Sequence, residues 1–528
     1  MLRSSRSKEG RTPVLKMLAG AGKASGLLAA SLSAAALSTA QAADGRVDVV
    51  APWEVGSIEP TQSGHIFGRM EVGETLVDVA LDGELIAGLA TDWQVDDSGL
   101  EWRFRLRQGV EFHDGSPMTP ETVAQSLERT LGEPGVLSQA SISQVAVDED
   151  ELVLTLDAPY GALPALLSHY STQILAPSAY DQDGRVVAYV ATGPYQVATV
   201  ETPQRLTTTR FDAYWGEPPS IAEASYLAAP RGETRSLMAQ SGDADIVLTL
   251  DAASQARLSR APNVEVMAVP IPRTVLLKLN AARPGLDSPQ VRRAVSMAIQ
   301  REGIARGILR SDDAMANQMM PPGVAGWHLD GLAPLTQDLD EARRLLAEDG
   351  WTPGQDGVLT RDGERLALTL TTFSDRPELP LIATALQAQL AEVGIEVTVD
   401  VANSSEIPSR HHDGSLDMGL MARNFGLVPD PLPIMLQDYS SGQVGGDWGA
   451  MNWSSRTLDV LLGEMQAATD GATWEALAGQ AAEVLHRELP VIPIAWYVQT
   501  AAVNAALEGF ELDPFDRSYR ISELEWAQ

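Results

Sequence analysis

Apolar and polar side chains alternate with a period of two over Leu100 to Arg107, where Leu100, Trp102, Phe104 and Leu106 interleave with Glu101, Arg103, Arg105 and Arg107. That spacing puts one set on each face of a pleated chain and predicts a half-buried strand. An Asp114-Gly115 turn signal follows, and Thr119-Pro120-Glu121 then opens a helix. The Thr hydroxyl suits the N-cap, Pro the first turn and Glu the positive end of the helix dipole. Val123, Ala124, Leu127 and Leu131 recur at helical spacing as its buried stripe. Further on, Leu366 to Thr372 reads as a strand, Glu378 to Val393 as a helix stopped by Gly394, and Ile395 to Val401 as a second strand. The order β-α-β predicts parallel pairing with a right-handed crossover. Ser288-Pro289 starts another helix, carrying Val291, Val295, Ala298 and Ile299. Asp338 with Glu341 caps one that buries Leu345 and Leu346 and ends at Gly350. The pattern is mixed α/β in more than one unit, with no short-period repeat.

The length of 528 residues allows about three domain-sized units at ~150 residues each. Thirty-eight Lys plus Arg against 71 Asp plus Glu give a net charge of −33, which argues against nucleic acid or an anionic membrane surface as partner. With no cysteine in the chain, disulfides, zinc–thiolate sites, iron–sulfur clusters, a thiol nucleophile and a lipoprotein anchor are excluded. The charge is unevenly placed. Residues 1–42 hold Arg3, Arg6, Lys8, Arg11, Lys16 and Lys23 against Glu9, a net of +5 that leaves −38 for the rest. Their basic start, the apolar run Gly26 to Leu37 and the closing Ala40-Gln41-Ala42 have the form of a signal peptide, the run being too short to span a bilayer. The expected product is exported and soluble. Beyond Lys23 the only lysine is Lys278, so later positive charge is nearly all arginine.

No Gly-x-Ser-x-Gly elbow, His-Glu-x-x-His helix or Gly-rich phosphate loop occurs. Adjacent His411 and His412 read as a solvated pair, and His113, beside a turn, as structural. No catalytic residue, resident metal or cofactor is assigned. A large exported chain without a catalytic constellation points to binding.

Leu89-Ala90-Thr91-Asp92-Trp93, followed by the run Phe104 to Val123 with its Phe112-His113-Asp114-Gly115 core, closely resembles the signature of family 5 extracellular solute-binding proteins, the peptide and nickel receptors of ABC importers. Family-like segments continue at Thr192 to Tyr195, Tyr214 to Gly216, Gly242 to Asp245, Val291 to Ile299, Ala342 to Trp351 and Leu489 to Pro493. The resemblance implies an α/β, two-lobed periplasmic-binding-protein fold with a hinge and an extra subdomain inserted in lobe one. On this chain, lobe one would be 43–280 plus 499–528, with the insert at about 90–182, and lobe two would be 281–498. The hinge strands would be Thr274 to Asn280 and Val491 to Val498. Implied partners are a small-molecule ligand and the importer's permease subunits, with no nucleic acid, the receptor acting as a monomer.

Met421 to Pro431 resembles the specificity segment of nickel-receptor members, and dipeptide-binding members also carry an Asp-Pro there. The resemblance makes Arg423 a candidate carboxylate anchor and Asp430 a candidate ammonium anchor. Phe425, Trp448 and Trp453 would wall the site, and His65, with Met70, could offer a metal or polar contact. Two departures weigh against directly coordinated nickel: Gln173 stands where that branch has an arginine, and 440–446 holds no histidine. The leading expectation is a short peptide or similar amphoteric solute, with a nickel or metal-chelate receptor as alternative and an exported enzyme such as a peptidase as the alternative of another class.

Overall fold

The computed structural model describes residues 45–133, 135–324, 326–374, 376, 378–426, 428–441 and 446–527. The expected signal peptide at 1–42 lies outside them. The principal strands are β1 (Arg46–Ala51), β2 (Ala90–Val95), β3 (Glu101–Leu106), β4 (Ile142–Asp148), β5 (Glu151–Leu156), β6 (Tyr195–Glu201), β7 (Arg205–Arg210) and β8 (Glu223–Ala228). They continue with β9 (Ile246–Leu248), β10 (Val264–Leu279), β11 (Ala367–Phe373), β12 (Glu396–Ala402), β13 (Met418–Asn424) and β14 (Val491–Asn504). Helices used below are α1 (Pro60–Arg69), α2 (Pro120–Leu131), α3 (Pro289–Ala298), α4 (Leu339–Glu348) and α5 (Glu378–Ala391).

Ten strands join in the order β12-β11-β13-β10-β14-β9-β1-β8-β7-β6. Its centre is the long antiparallel pair β10 and β14, matched from Val264 against Asn504 to Lys278 against Val491. Each takes an outer neighbour along only part of its length. β10 pairs with β13 from Arg273 to Leu279, and β14 pairs with β9 at Ala501 to Val503. The handover falls at a register shift between Pro270 and Thr274. Proline lacks the ladder donor and is tolerated in a strand at such an irregularity, so Pro270 and Pro272 sit where the sheet changes partners. Both strands extend further than the expected crossings at Thr274 to Asn280 and Val491 to Val498, because their first and last residues pair beside β9. At this point the backbones are close: Phe425 N–H donates to Pro272 O at 2.7 Å. A Cβ on Gly426 would stand 2.3 Å from Pro272 Cγ, so no larger residue fits without displacement.

The expected β-α-β unit is present, with β11 and β12 parallel around α5. The period-two strand is β3, in a separate antiparallel sheet of order β2-β3-β5-β4. Trp102, Phe104 and Leu106 are buried while Arg103 and Arg105 pair with Glu151 on the other face. Thr119 Oγ1 accepts from Thr122 N–H at the start of α2, and Asp338 Oδ1 from Glu341 N–H at the start of α4. This small sheet also touches the far half of the molecule: Gly161 N–H donates to Gln466 O at 2.8 Å, and one apolar cluster runs from Phe104 to Leu462.

Buried arginines tie loops to strands. Arg301 is 3% exposed. It donates to Pro493 O at 2.8 Å, Ser296 O at 3.1 Å, Leu335 O at 3.2 Å and Ser296 Oγ at 2.8 Å. Arg292 does the same for Leu286, Asp287 and Glu488 carbonyls, and Arg235 for Leu248, Ala229, Pro230 and Thr249. A planar five-donor fork can satisfy several carbonyls at once. Removing it by Arg301→Met leaves buried acceptors unpaired and should cost about 3 kcal/mol or more, read as a lowered urea midpoint with the slope unchanged.

Candidate functional site

A cavity of about 90 Å³ lies over the strand handover. His65 and Arg69 of α1, Tyr170 and the turn 514–517 face it from one side; Ile271, Pro272 and Arg273 form its floor, and Asn424 and Gly426 close it from the other half of the sheet. A second cavity of about 160 Å³ shares Tyr170 and Arg517 with the first and runs between α1 and Gln173.

Charge is concentrated here. Arg69 Nε donates to Asp516 O at 2.8 Å, its Nη2 pairs with the Asp516 carboxylate, and its guanidinium lies 4.4 Å from the Trp53 ring. Burial pushes the Asp516 carboxyl up to about 6, with Arg69 opposing the rise. Arg517 is held by Asp78 and by Ser168 O, at 2.8 and 2.7 Å. Burial, with Arg69 nearby, pushes His65 down to about 4, so the imidazole is neutral at pH 7, its ring edge-on to Tyr170 at 5.4 Å. On the floor, Arg273 lies 5.7 Å from the Tyr497 ring and Arg376 lies 5.2 Å from the same ring, while Tyr497 OH donates to Glu378 at the start of α5. The arrangement offers cationic and aromatic contacts from both halves of the molecule, with no activated nucleophile among the groups lining it.

Of the residues singled out by sequence, His65 lines this cavity. Arg423 does not: its Nε donates to Asp438 Oδ2 at 2.6 Å, and the Asp438 side chain is fully buried. Phe425 is 0% exposed in the core of the far half. Asp430 is 8% exposed, and its Oδ1 accepts Leu432 N–H at 2.8 Å. Trp448 and Trp453 pack, partly buried, on the same core. Met70 is fully buried near Phe67, and Gln173 donates to Gly73 O at 3.2 Å while accepting from Tyr189 OH. The physical reason is the strand period: Arg423 and Phe425 share one face at the end of β13, whereas Asn424 and Gly426 share the other, which faces the cavity. The expected segment therefore borders the site through its alternate residues. Arg69, Arg273 and Asp516 were missed. The signal for Arg273 was the Pro270-x-Pro272 pair interrupting an apolar strand.

Behind β13 a second polar cluster is internal. Lys278, 0% exposed, donates to Asp447 O at 2.6 Å and meets His411 Nδ1 at 2.5 Å, and burial pushes its ammonium down to about 7. His412 lies 3.0 Å from Asp447 with its side chain 63% exposed, so of the expected solvated pair His412 is solvated and His411 turns to Lys278. His113 is structural, its Nε2 3.0 Å from Gly193 O. Among the described residues, no group of three or more His, Cys, Asp or Glu side chains is placed to hold a metal ion.

Residues 84–446 match the family model described as bacterial extracellular solute-binding proteins, family 5 middle. The nickel-binding periplasmic protein of Escherichia coli K12 is 26% identical over 489 residues, covering 89% of this chain and 92% of that protein. The glutathione-binding protein GsiB of Escherichia coli O1:K1 / APEC is 24% identical over 81% of this chain and 83% of its own. Among solved structures, the nickel ABC transporter protein of Bacillus halodurans superposes with a TM-score of 0.80 at 23% identity, covering 91% of this chain and 99% of that one. The two-lobed architecture of these proteins is the one described above.

Two substitutions test the assignments in the far half. Arg423→Met should lower stability by roughly 3–5 kcal/mol in urea unfolding, because it strands the buried Asp438 carboxylate; an arginine held for a solute would leave the midpoint unmoved. Burial holds the Asp430 carboxyl up at about 7. Its folded-state value is above the unfolded one, so its ionisation weakens the fold as pH rises from about 4 to 7. Asp430→Asn should remove that loss, gaining on the order of 4 kcal/mol at pH 8 relative to pH 4 when both proteins are unfolded in urea across the range.

Proposed function

Since the chain belongs to family 5 of the bacterial extracellular solute-binding proteins, a family of solute receptors, we propose that it is the exported receptor of an ABC importer and that it captures a short peptide or similar small amphoteric solute. The observation that carries this reading is the cavity itself. It is lined from both sides of the strand handover, with cationic groups, the Asp516 carboxylate and aromatic rings within one enclosure. A solute there contacts both halves only when they are together, so its binding energy favours the closed arrangement, which a membrane permease can then distinguish from the open one.

The lobes meet at the handover in β10 and the facing part of β14, and the small sheet β2–β5 is the subdomain added to lobe one. In this reading lobe one is 43–280 plus 499–528 and lobe two is 281–498, and the hinge crossing that starts at Thr274 falls in the part of β10 that pairs with β13. The receptor acts as a monomer in the periplasm after loss of residues 1–42.

A metal chelate is the second reading, favoured by the 26% identity to a nickel-binding periplasmic protein. The metal would arrive inside a small chelator whose own groups meet the cavity wall.

Native purification followed by mass spectrometry and metal analysis, then titration of the unfolded and refolded chain by tryptophan fluorescence and calorimetry, tests both. One-to-one binding of a di- or tripeptide, with a fall in radius of gyration by solution scattering, is expected. Co-purified metal and a response to chelates alone would move the assignment to the second reading. Silence towards peptides and chelates alike would end it.

A further inference from the structure

The charges facing the cavity do not balance. Its lining holds three guanidiniums, Arg69, Arg273 and Arg517, against one carboxylate, Asp516, in a chain whose net charge is −33. Arg69 is matched by Asp516, and Arg517 by Asp78 outside the cavity. Arg273 makes no ion pair with a described carboxylate; its guanidinium lies 5.7 Å from the Tyr497 ring, which Arg376 also approaches at 5.2 Å. Burial, Arg376 and Arg69 all disfavour its charge, and Asp516 only partly offsets them. A half-buried cation between two other cations is costly to a fold unless something supplies the opposite charge. Pro272 and Thr274 on either side show how firmly it is placed: Pro272 is locked against Gly426, and Thr274 Oγ1 donates to Met319 O at 2.7 Å.

We propose that the solute is a net anion and that Arg273, on the strand shared by both lobes, is the residue that receives its carboxylate. This rests on the receptor reading above and narrows the solute class within it. The guanidinium fork suits a planar carboxylate through two parallel hydrogen bonds, and the floor position lets that contact form while the rest of the solute reaches Asn424 on one side and Arg69 on the other. The anion discharges the surplus left by the pairing of the other two arginines. A free acid and its nickel chelate present the same carboxylate, and the two are separated by supplying each.

The full mature chain is purified natively and its small molecules are released in guanidinium and identified by mass spectrometry. The refolded protein is then tested by thermal shift and calorimetry with reduced glutathione, citrate, nickel citrate and, as the net-neutral probe, trialanine. A released solute with net negative charge is expected, together with stabilisation by at least one anionic probe. Arg273→Gln should weaken that binding roughly 10- to 100-fold while leaving the unliganded melting temperature equal or higher, since it removes a charge that no described carboxylate pairs. Arg273→Lys should retain part of the affinity, keeping the charge without the fork. A citrate response present only with nickel identifies the chelate as the source. A neutral or cationic released solute, or trialanine binding that Arg273→Gln does not touch, overturns the anion assignment and leaves the receptor standing. A lower melting temperature for unliganded Arg273→Gln assigns the residue to the fold instead. A protein that releases nothing and responds to none of the four probes overturns both.

Discussion

The antiparallel pairing of β10 with β14 is the constraint on which the other parts depend. Two strands that cross the molecule side by side must join the two halves of one ten-stranded sheet, and each does so by exchanging outer neighbours along its length. That exchange needs a place where the ladder is interrupted without leaving buried amides unpaired. Pro270 and Pro272 meet the requirement by having no amide hydrogen, and Phe425 N–H takes up the Pro272 carbonyl. The same interruption leaves room above it, so the cavity lies at the handover for the reason that the handover exists.

Arginine supplies a second layer of constraint. Long connections between strands leave carbonyls buried, and Arg235, Arg292 and Arg301 each gather several of them. Lysine could not do this with three donors on a point charge. The single lysine beyond residue 23 is indeed used differently, bridging one carbonyl and one imidazole with its ammonium driven down by burial. The strongly acidic surface and the arginine-rich interior are thus separate features of one composition. The exposed ion pairs of Arg344 with Glu341 and Glu348 add little to stability, whereas the buried forks determine where loops sit.

Local structure was legible where the hydrophobic period was strong and unobstructed. β3, α2, α3, α4 and the β11-α5-β12 unit all appear within a residue or two of their expected places, because each is decided by its own caps and its own buried stripe. The family signature in Phe104 to Val123 also revealed the architecture. The site was less legible. Which face of β13 looks into the cavity depends on pairing with β10, a contact across some 150 residues that no local pattern encodes, and Asn424 and Gly426 line it where the resemblance points to Arg423 and Phe425. Arg423 has the side-chain chemistry of an anchor, yet the Asp438 carboxylate fifteen residues on claims it. Asp516 and Arg69 lie 447 residues apart and are brought together only by the return of the chain after β14.

These points bear on how binding can be linked to closure. An arginine already engaged with a buried carboxylate offers a solute little, since a new contact must first break an old one. Arg69 belongs to that kind, and its pairing with Asp516 makes it a rigid wall. Arg273 is paired with no described carboxylate, so under the proposal a negative group placed beside it gains nearly the whole interaction, and the gain is largest once water is excluded from around it. In an open molecule the same guanidinium would be solvated and the advantage small. In that proposal the difference between those two states is the free energy available for closure, and it comes from a cation on β10 that no described carboxylate matches.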